Sequence, residues 1–196
     1  MKKSTSIIVS GLAFAAVLVI GYLAFPGEST PKKEAKEEVF GYENIKNAIY
    51  DGVQLSDGSA SGNETGEASP NSIRNISLIP EYVASGDLDG DGSTDLAVLA
   101  IEDFGGSGIF NYIALYYSRD DEAEYAGKIF LGDRIRARSL AIGDDSLIVA
   151  TIVSHASDDA ITYPTKIVSL KYEMRSSGPV EINREDIGRI SDGLEN

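Results

Sequence analysis

The stretch Asp87-Leu88-Asp89-Gly90-Asp91-Gly92-Ser93-Thr94-Asp95 constrains this chain more than any other. Aspartate bonds readily to its own backbone and glycine tolerates positive φ, so the segment is a turn. The run that follows, Leu96-Ala97-Val98-Leu99-Ala100-Ile101, is continuously apolar, as in a strand buried on both faces. Ile76 to Ala84 leads into the turn with strand-like composition. The local unit is therefore strand, turn, strand. Four carboxylates in one turn repel each other unless a cation neutralises them. Asp87, Asp89 and Asp91 alternate, so their side chains can converge. Ser93 can add its carbonyl, and Asp95 can close the site from the start of the next strand. An all-oxygen set at this spacing suits a hard cation, Ca²⁺ above all. An EF-hand would need a Glu at loop position 12 and flanking helices. Val98 stands at that position, inside the apolar run.

The remaining strand signals fit the same class. Phe110 to Tyr117 is aromatic-rich, with Phe110, Tyr112, Ala114 and Tyr116 on one face and Asn111, Ile113, Leu115 and Tyr117 on the other. Lys128 to Leu131, Arg136 to Ile142 and Leu147 to Val153 read as further strands, and Val168, Leu170 and Tyr172 alternate with polar residues. Near the start, Ala48-Ile49-Tyr50, then Asp51-Gly52, then Val53-Gln54-Leu55 read as a small hairpin, because Asp-Gly suits a two-residue turn. Phe40, Tyr42 and Ile45 are spaced to form the face of a short helix, the competing reading of that region. Residues 56–72, rich in Ser, Gly, Asn and Glu, carry no periodicity and are expected to form a loop. The expected fold is mainly β, an antiparallel meander forming a sandwich or partial barrel. A propeller needs several blades, and only one Asp-rich turn is present.

The N-terminus is different. After Met1-Lys2-Lys3, residues 7–25 (IIVSGLAFAAVLVIGYLAF) are uncharged and mostly apolar. That is close to the roughly 20 residues a membrane-crossing helix needs, and longer than a typical signal core. Residues 1–6 are expected to stay in the cytoplasm, with 7–25 as a transmembrane anchor. If this segment is instead a cleaved signal, the domain is exported and soluble. Residues 26–39 are a flexible polar tether, 40–185 an extracytoplasmic β domain, and 186–196 a polar tail. The partners expected are Ca²⁺, the membrane through the N-terminal helix, and an envelope or extracellular protein.

Net charge is −14. Such a field repels a phosphate backbone, which argues against nucleic acid as a partner. The chain has no cysteine, which excludes a disulfide framework, a thiolate metal site and a cysteine nucleophile.

The segment Asp87–Asp95 resembles the calcium-binding hairpin of FG-GAP and VCBS-type repeats. A longer resemblance, from about Asn47 to Tyr172, is to small exported bacterial proteins with the same order of segments. Here these are Asn47–Tyr50, Gly86–Asp95, Gly105–Tyr112 and Leu131–Ile135. The resemblance implies an exported β domain with calcium and implies no catalytic activity.

Other candidates for chemistry are sparse. Gly105-Gly106-Ser107-Gly108 lacks the Lys and the following helix of a phosphate loop. It reads as a turn close enough in sequence to the Asp-rich turn to line the same edge of the sheet. His155 is the only histidine, and no Gly-x-Ser-x-Gly elbow accompanies it. Asp133-Arg134 is suited to an internal ion pair or to balancing the acidic turn. The sequence therefore points to a membrane-tethered, calcium-binding β domain with a structural or protein-interaction role and no identifiable catalysis. The competing reading is an exported hydrolase or inhibitor-like envelope protein.

Overall fold

A computed structural model describes residues 40–63, 73–120 and 122–190, all within one compact unit, Glu38–Asn196. The expected anchor at 7–25 and tether at 26–39 lie outside the described residues. Among the described residues no helix is long and apolar enough to cross a membrane.

The fold is mainly β, with antiparallel sheets, one of them curled like half a barrel. Both readings of the first segment hold. A one-turn helix, α1 (Tyr42–Ile45), precedes a hairpin of β1 (Ile49–Tyr50) and β2 (Val53–Gln54). Asn44 Oδ1 accepts the Gly41 N–H at 2.8 Å, which caps the helix start. The hairpin turn has φ 47° at Asp51 and 81° at Gly52, the left-handed pair that matches strand twist in a two-residue connection.

Nine longer strands follow: β3 (Ser59–Asn63), β4 (Ile73–Gly86), β5 (Asp95–Asp103), β6 (Phe110–Arg119), β7 (Glu122–Asp133), β8 (Arg136–Ile142), β9 (Ile148–Ser154), β10 (Lys166–Arg175) and β11 (Gly178–Arg189). They form two sheets, β3-β4-β5-β6-β7 and β11-β10-β9-β8, each strand pairing with its neighbour in sequence. The meander expected from strand spacing is therefore the observed connectivity. β8 packs across β4 and β5, and β11 meets β7.

Two corrections concern weakly patterned segments. The loop expected over residues 56–72 contains β3, which pairs along β4 from Ser59↔Ser77 to Asn63↔Ile73. Its Ser-Ala-Ser-Gly-Asn sequence is held by backbone bonds, because it has little side chain to bury. The last described strand, β11, runs to Arg189, past the boundary expected at residue 185 and into the expected polar tail at 186–196. β11 is an edge strand with one long, mostly exposed face, so burial imposes no alternation on it.

The two sides of β5 feed separate cores. Ala97 and Leu99 join Ile113, Leu115, Ile129, Ile148, Ile152 and Leu170 between the sheets. Leu96, Val98 and Ala100 join Ala114 and Tyr116 on the outer side, beneath Phe40, Ile45, Tyr50 and Leu55. That double burial is the physical basis of the unbroken apolar run. The alternation along β6 follows the same division, with Ile113 and Leu115 facing one core and Ala114 and Tyr116 the other. Both cores lie within the compact unit Glu38–Asn196, which has the size of an ordinary domain.

Candidate metal site

The Asp-rich turn joins β4 to β5. Gly90 and Gly92 sit at φ 81° and 86°, a left-handed conformation that costs glycine nothing. The aspartates shape the loop by taking its N–H groups. Asp87 Oδ1 accepts from Gly90 at 2.7 Å and Oδ2 from Gly92 at 3.0 Å. Asp89 accepts from Asp91 N–H at 3.2 Å, and Asp91 from Ser93 N–H at 2.7 Å. Asp95, fully buried at the start of β5, accepts from Leu88 N–H at 2.8 Å and from Ser118 N–H at 2.9 Å. It ties the loop to the end of β6.

Asp87, Asp89 and Asp95 each offer a carboxylate oxygen, and these oxygens lie within 4.8 Å of one another. A cluster of this kind can hold a metal ion, and hard oxygen donors in a small space are what such an ion requires. Of the five residues expected at the site, these three converge. Asp91 is turned toward Ser93 and Arg119, and Ser93 donates its N–H to Asp91. Arg119, at the end of β6, reaches both Asp89 and Asp91 with its two terminal nitrogens. Its ring-facing side lies 4.7 Å from the centre of Tyr117. Nothing in the turn itself announces this partner, which arrives from 28 residues beyond Asp91.

The electrostatics of the loop are those of an incompletely neutralised site. Burial pushes the Asp95 carboxyl up. The N–H groups of Ser118 and Leu88 pull it down, and the charges of Asp89 and Asp91 push it up again, leaving it above the usual carboxylate range. Asp91 is held low, first by the Ser93 N–H and further by Arg119.

A second charged cluster lies on the outer side of the same sheet. Glu102, at the end of β5, is fully buried. Its Oε1 accepts from Tyr50 Oη at 2.6 Å, Lys128 Nζ at 2.6 Å and Arg74 at 3.0 Å, and its Oε2 from Arg74 Nε at 3.1 Å. Asp51 completes the set, accepting from Arg74 at 2.7 Å and Lys128 at 2.8 Å. Among the described residues two cations face two carboxylates, and the cluster pins the β1–β2 hairpin to the sheet. Burial raises the Glu102 carboxyl, but bonds from Arg74, Lys128 and Tyr50 outweigh it and hold it below the usual range. The sequence reading passed over Glu102. The signal for it was the alternation Val98, Ala100, Glu102, which puts a carboxylate in line with core residues.

The remaining candidates separate. The Gly105–Gly108 turn follows the C-terminal end of β5, at the opposite end of the sheet from the Asp-rich turn, and does not line the same edge. Nine strand residues lie between, about 30 Å at 3.3–3.4 Å each. Asp133 and Arg134 do form the expected ion pair, at 2.6 Å, and Asp133 also accepts the Ile109 N–H. His155 Nε2 is buried without a hydrogen-bond partner. The nearby Asp159 is engaged instead by the N–H groups of Ala156 and Thr165 and by Thr165 Oγ1, so no histidine–aspartate pair forms there. An open hollow beside Arg119 is lined by Ile49, Glu122, Ala123, Glu124 and Tyr125.

The chain matches no protein-family model, no curated protein and no solved structure.

Proposed function

We propose that this protein is a membrane-tethered, extracytoplasmic β domain that binds Ca²⁺ at the β4–β5 turn and acts through structural or protein contacts. The observation that carries this reading is the convergence of the Asp87, Asp89 and Asp95 oxygens within 4.8 Å on one glycine-bent loop. Ca²⁺ is favoured over Mg²⁺ because it accepts irregular sets of carboxylate and carbonyl oxygens. The role is bracing. Asp95 also holds the end of β6 through Ser118, so neutralising the loop steadies two hairpins together. The apolar run at residues 7–25 and the polar spacer behind it support the tether and the side of the membrane. Affinities of extracellular calcium modules, about 10⁻⁴–10⁻³ M, would match the calcium such a domain meets.

The test is a thermal melt of residues 38–196 in calcium, magnesium and chelator, repeated for Asp89→Ala. At calcium ten times its Kd, linkage gives about 1.4 kcal/mol, an upward shift of several degrees. The shift should vanish in Asp89→Ala. A wild-type melt that calcium leaves unmoved at millimolar concentration would refute the metal reading.

A further inference from the structure

A side-chain cation and a metal ion compete when they draw on the same carboxylate. In the β4–β5 turn that cation is Arg119, whose two terminal nitrogens hold Asp89 Oδ2 and Asp91 Oδ2. Asp89 is also one of the three residues whose carboxylate oxygens converge, and its other oxygen takes the Asp91 N–H. A divalent ion on Asp89 would face the guanidinium across a single carboxylate, and like charges that close repel strongly. The turn therefore has two cations to choose between, and the structure shows the internal one in contact.

Three features let the Arg119 side chain change partner while its backbone stays in place. Ser118 N–H is bonded to Asp95 at 2.9 Å, and Arg119 pairs with Glu122 across the β6–β7 turn, so motion is confined to the side chain. The guanidinium carbon lies 4.7 Å from the centre of the Tyr117 ring, and a planar cation can slide over an aromatic face while staying attracted to it. A second acceptor is at hand. Glu124 stands opposite Tyr117 in the β6–β7 pairing, 3.7 Å from Arg119 Nε. The open hollow lined by Arg119, Glu122, Glu124 and Tyr125 gives the side chain room.

We infer that Arg119 is a gate on the β4–β5 turn, an internal counter-ion that holds Asp89 and Asp91 until Ca²⁺ takes Asp89, and that then turns to Glu124. The inference rests on the metal reading above and adds its regulation. At low calcium Arg119 offsets part of the repulsion among the aspartates, so the turn keeps its shape without the ion. At higher calcium the ion must displace an ion pair before it binds, which weakens its affinity. The coupling is reciprocal: the factor by which Arg119 weakens calcium is the factor by which calcium loosens Arg119. Occupancy of the β4–β5 turn is thereby carried to the β6–β7 turn as a displaced positive charge.

The test uses the isotopically labelled full chain in nonionic detergent, freed of metal by chelation and titrated with Ca²⁺ alone. The Arg119 Nε–H signal is identified by its loss in Arg119→Gln. Calcium should shift that signal in step with the backbone signals of Asp87–Asp95. Arg119→Gln should bind calcium a few-fold more tightly, the scale of a solvent-facing ion pair. In urea unfolding the variant should fall below wild type in chelator and approach it in saturating calcium. The closing of that gap, as a ratio of unfolding constants, should equal the ratio of the two Kd values. Turn signals that move while Arg119 stays put, with equal affinity in the two proteins, overturn the gate and leave the metal reading standing. So does a urea gap that calcium leaves unchanged, the mark of a merely structural contact. Turn signals that calcium moves in neither protein refute the metal reading itself, and the gate falls with it.

Discussion

Replacing Glu102 with Gln keeps its shape and removes the one fully buried charge of the cluster, whose other members are partly exposed (Arg74, Lys128) or exposed (Asp51). In the wild type Glu102 and Asp51 together balance Arg74 and Lys128. After the change Asp51 is, among the described residues, the carboxylate that faces both cations, and the Tyr50 hydroxyl loses a charged acceptor. Breaking a buried ion pair from one side typically costs about 3–5 kcal/mol. Asp51 still touches both cations, which places the expected loss near the lower bound, about 3 kcal/mol. For a domain of this size that corresponds to a fall in Tm of about 6–12 °C. The assay is urea unfolding and thermal melts followed by circular dichroism at neutral pH. The pH dependence adds a second constraint. Glu102 titrates below its unfolded value when folded. Its contribution is therefore full above the unfolded value of about 4.3 and disappears as pH falls through the folded one. The gap between wild type and Glu102→Gln should be widest at neutral pH and close in acid. A variant whose Tm stays within about 2 °C of wild type at neutral pH, or a gap that does not narrow in acid, would refute the reasoning.

Three further outcomes follow from single contacts. A Cβ on Gly86 would lie 2.5 Å from Ile142 Cγ2, where β4 runs against the end of β8, so Gly86→Ala should cost about 1–3 kcal/mol in urea unfolding. The Tyr116 hydroxyl is buried without a partner, so Tyr116→Phe should leave stability unchanged or raise it by about 1 kcal/mol in the same assay. Arg119 holds Asp89 and Asp91, so Arg119→Gln should tighten calcium binding a few-fold by titration calorimetry, because an intramolecular competitor has been removed.

What the sequence discloses here tracks how locally each feature is determined. The β1–β2 hairpin was legible because Asp51-Gly52 specifies its own turn, and β5 because burial on both faces needs an unbroken apolar run. β3 and β11 were not. The first is small and polar and the second mostly exposed, so backbone pairing with a neighbour places them. The candidate metal loop divides in the same way. Asp87, Asp89 and Asp95 could be read from spacing alone, while Arg119 could not, because it reaches the loop through the pairing of β5 with β6. Glu102 draws its partners from β1, β4 and β7, and no window of sequence contains them together.

The strict sequential order of both sheets has a kinetic consequence. Every strand pair in β3-β4-β5-β6-β7 and in β8-β9-β10-β11 is a hairpin between chain neighbours. Loop-closure entropy is then met in small steps, without the long-range pairings that slow Greek-key sandwiches. Each sheet can zip from its own turns, leaving the docking of elements distant in sequence, β8 on β4 and β5, β11 on β7 and the β1–β2 hairpin on β7, as the later steps. The nucleus should therefore be local, and substitutions at the contact between sheets, Gly86 and Ile142 among them, should act chiefly on the rate of unfolding.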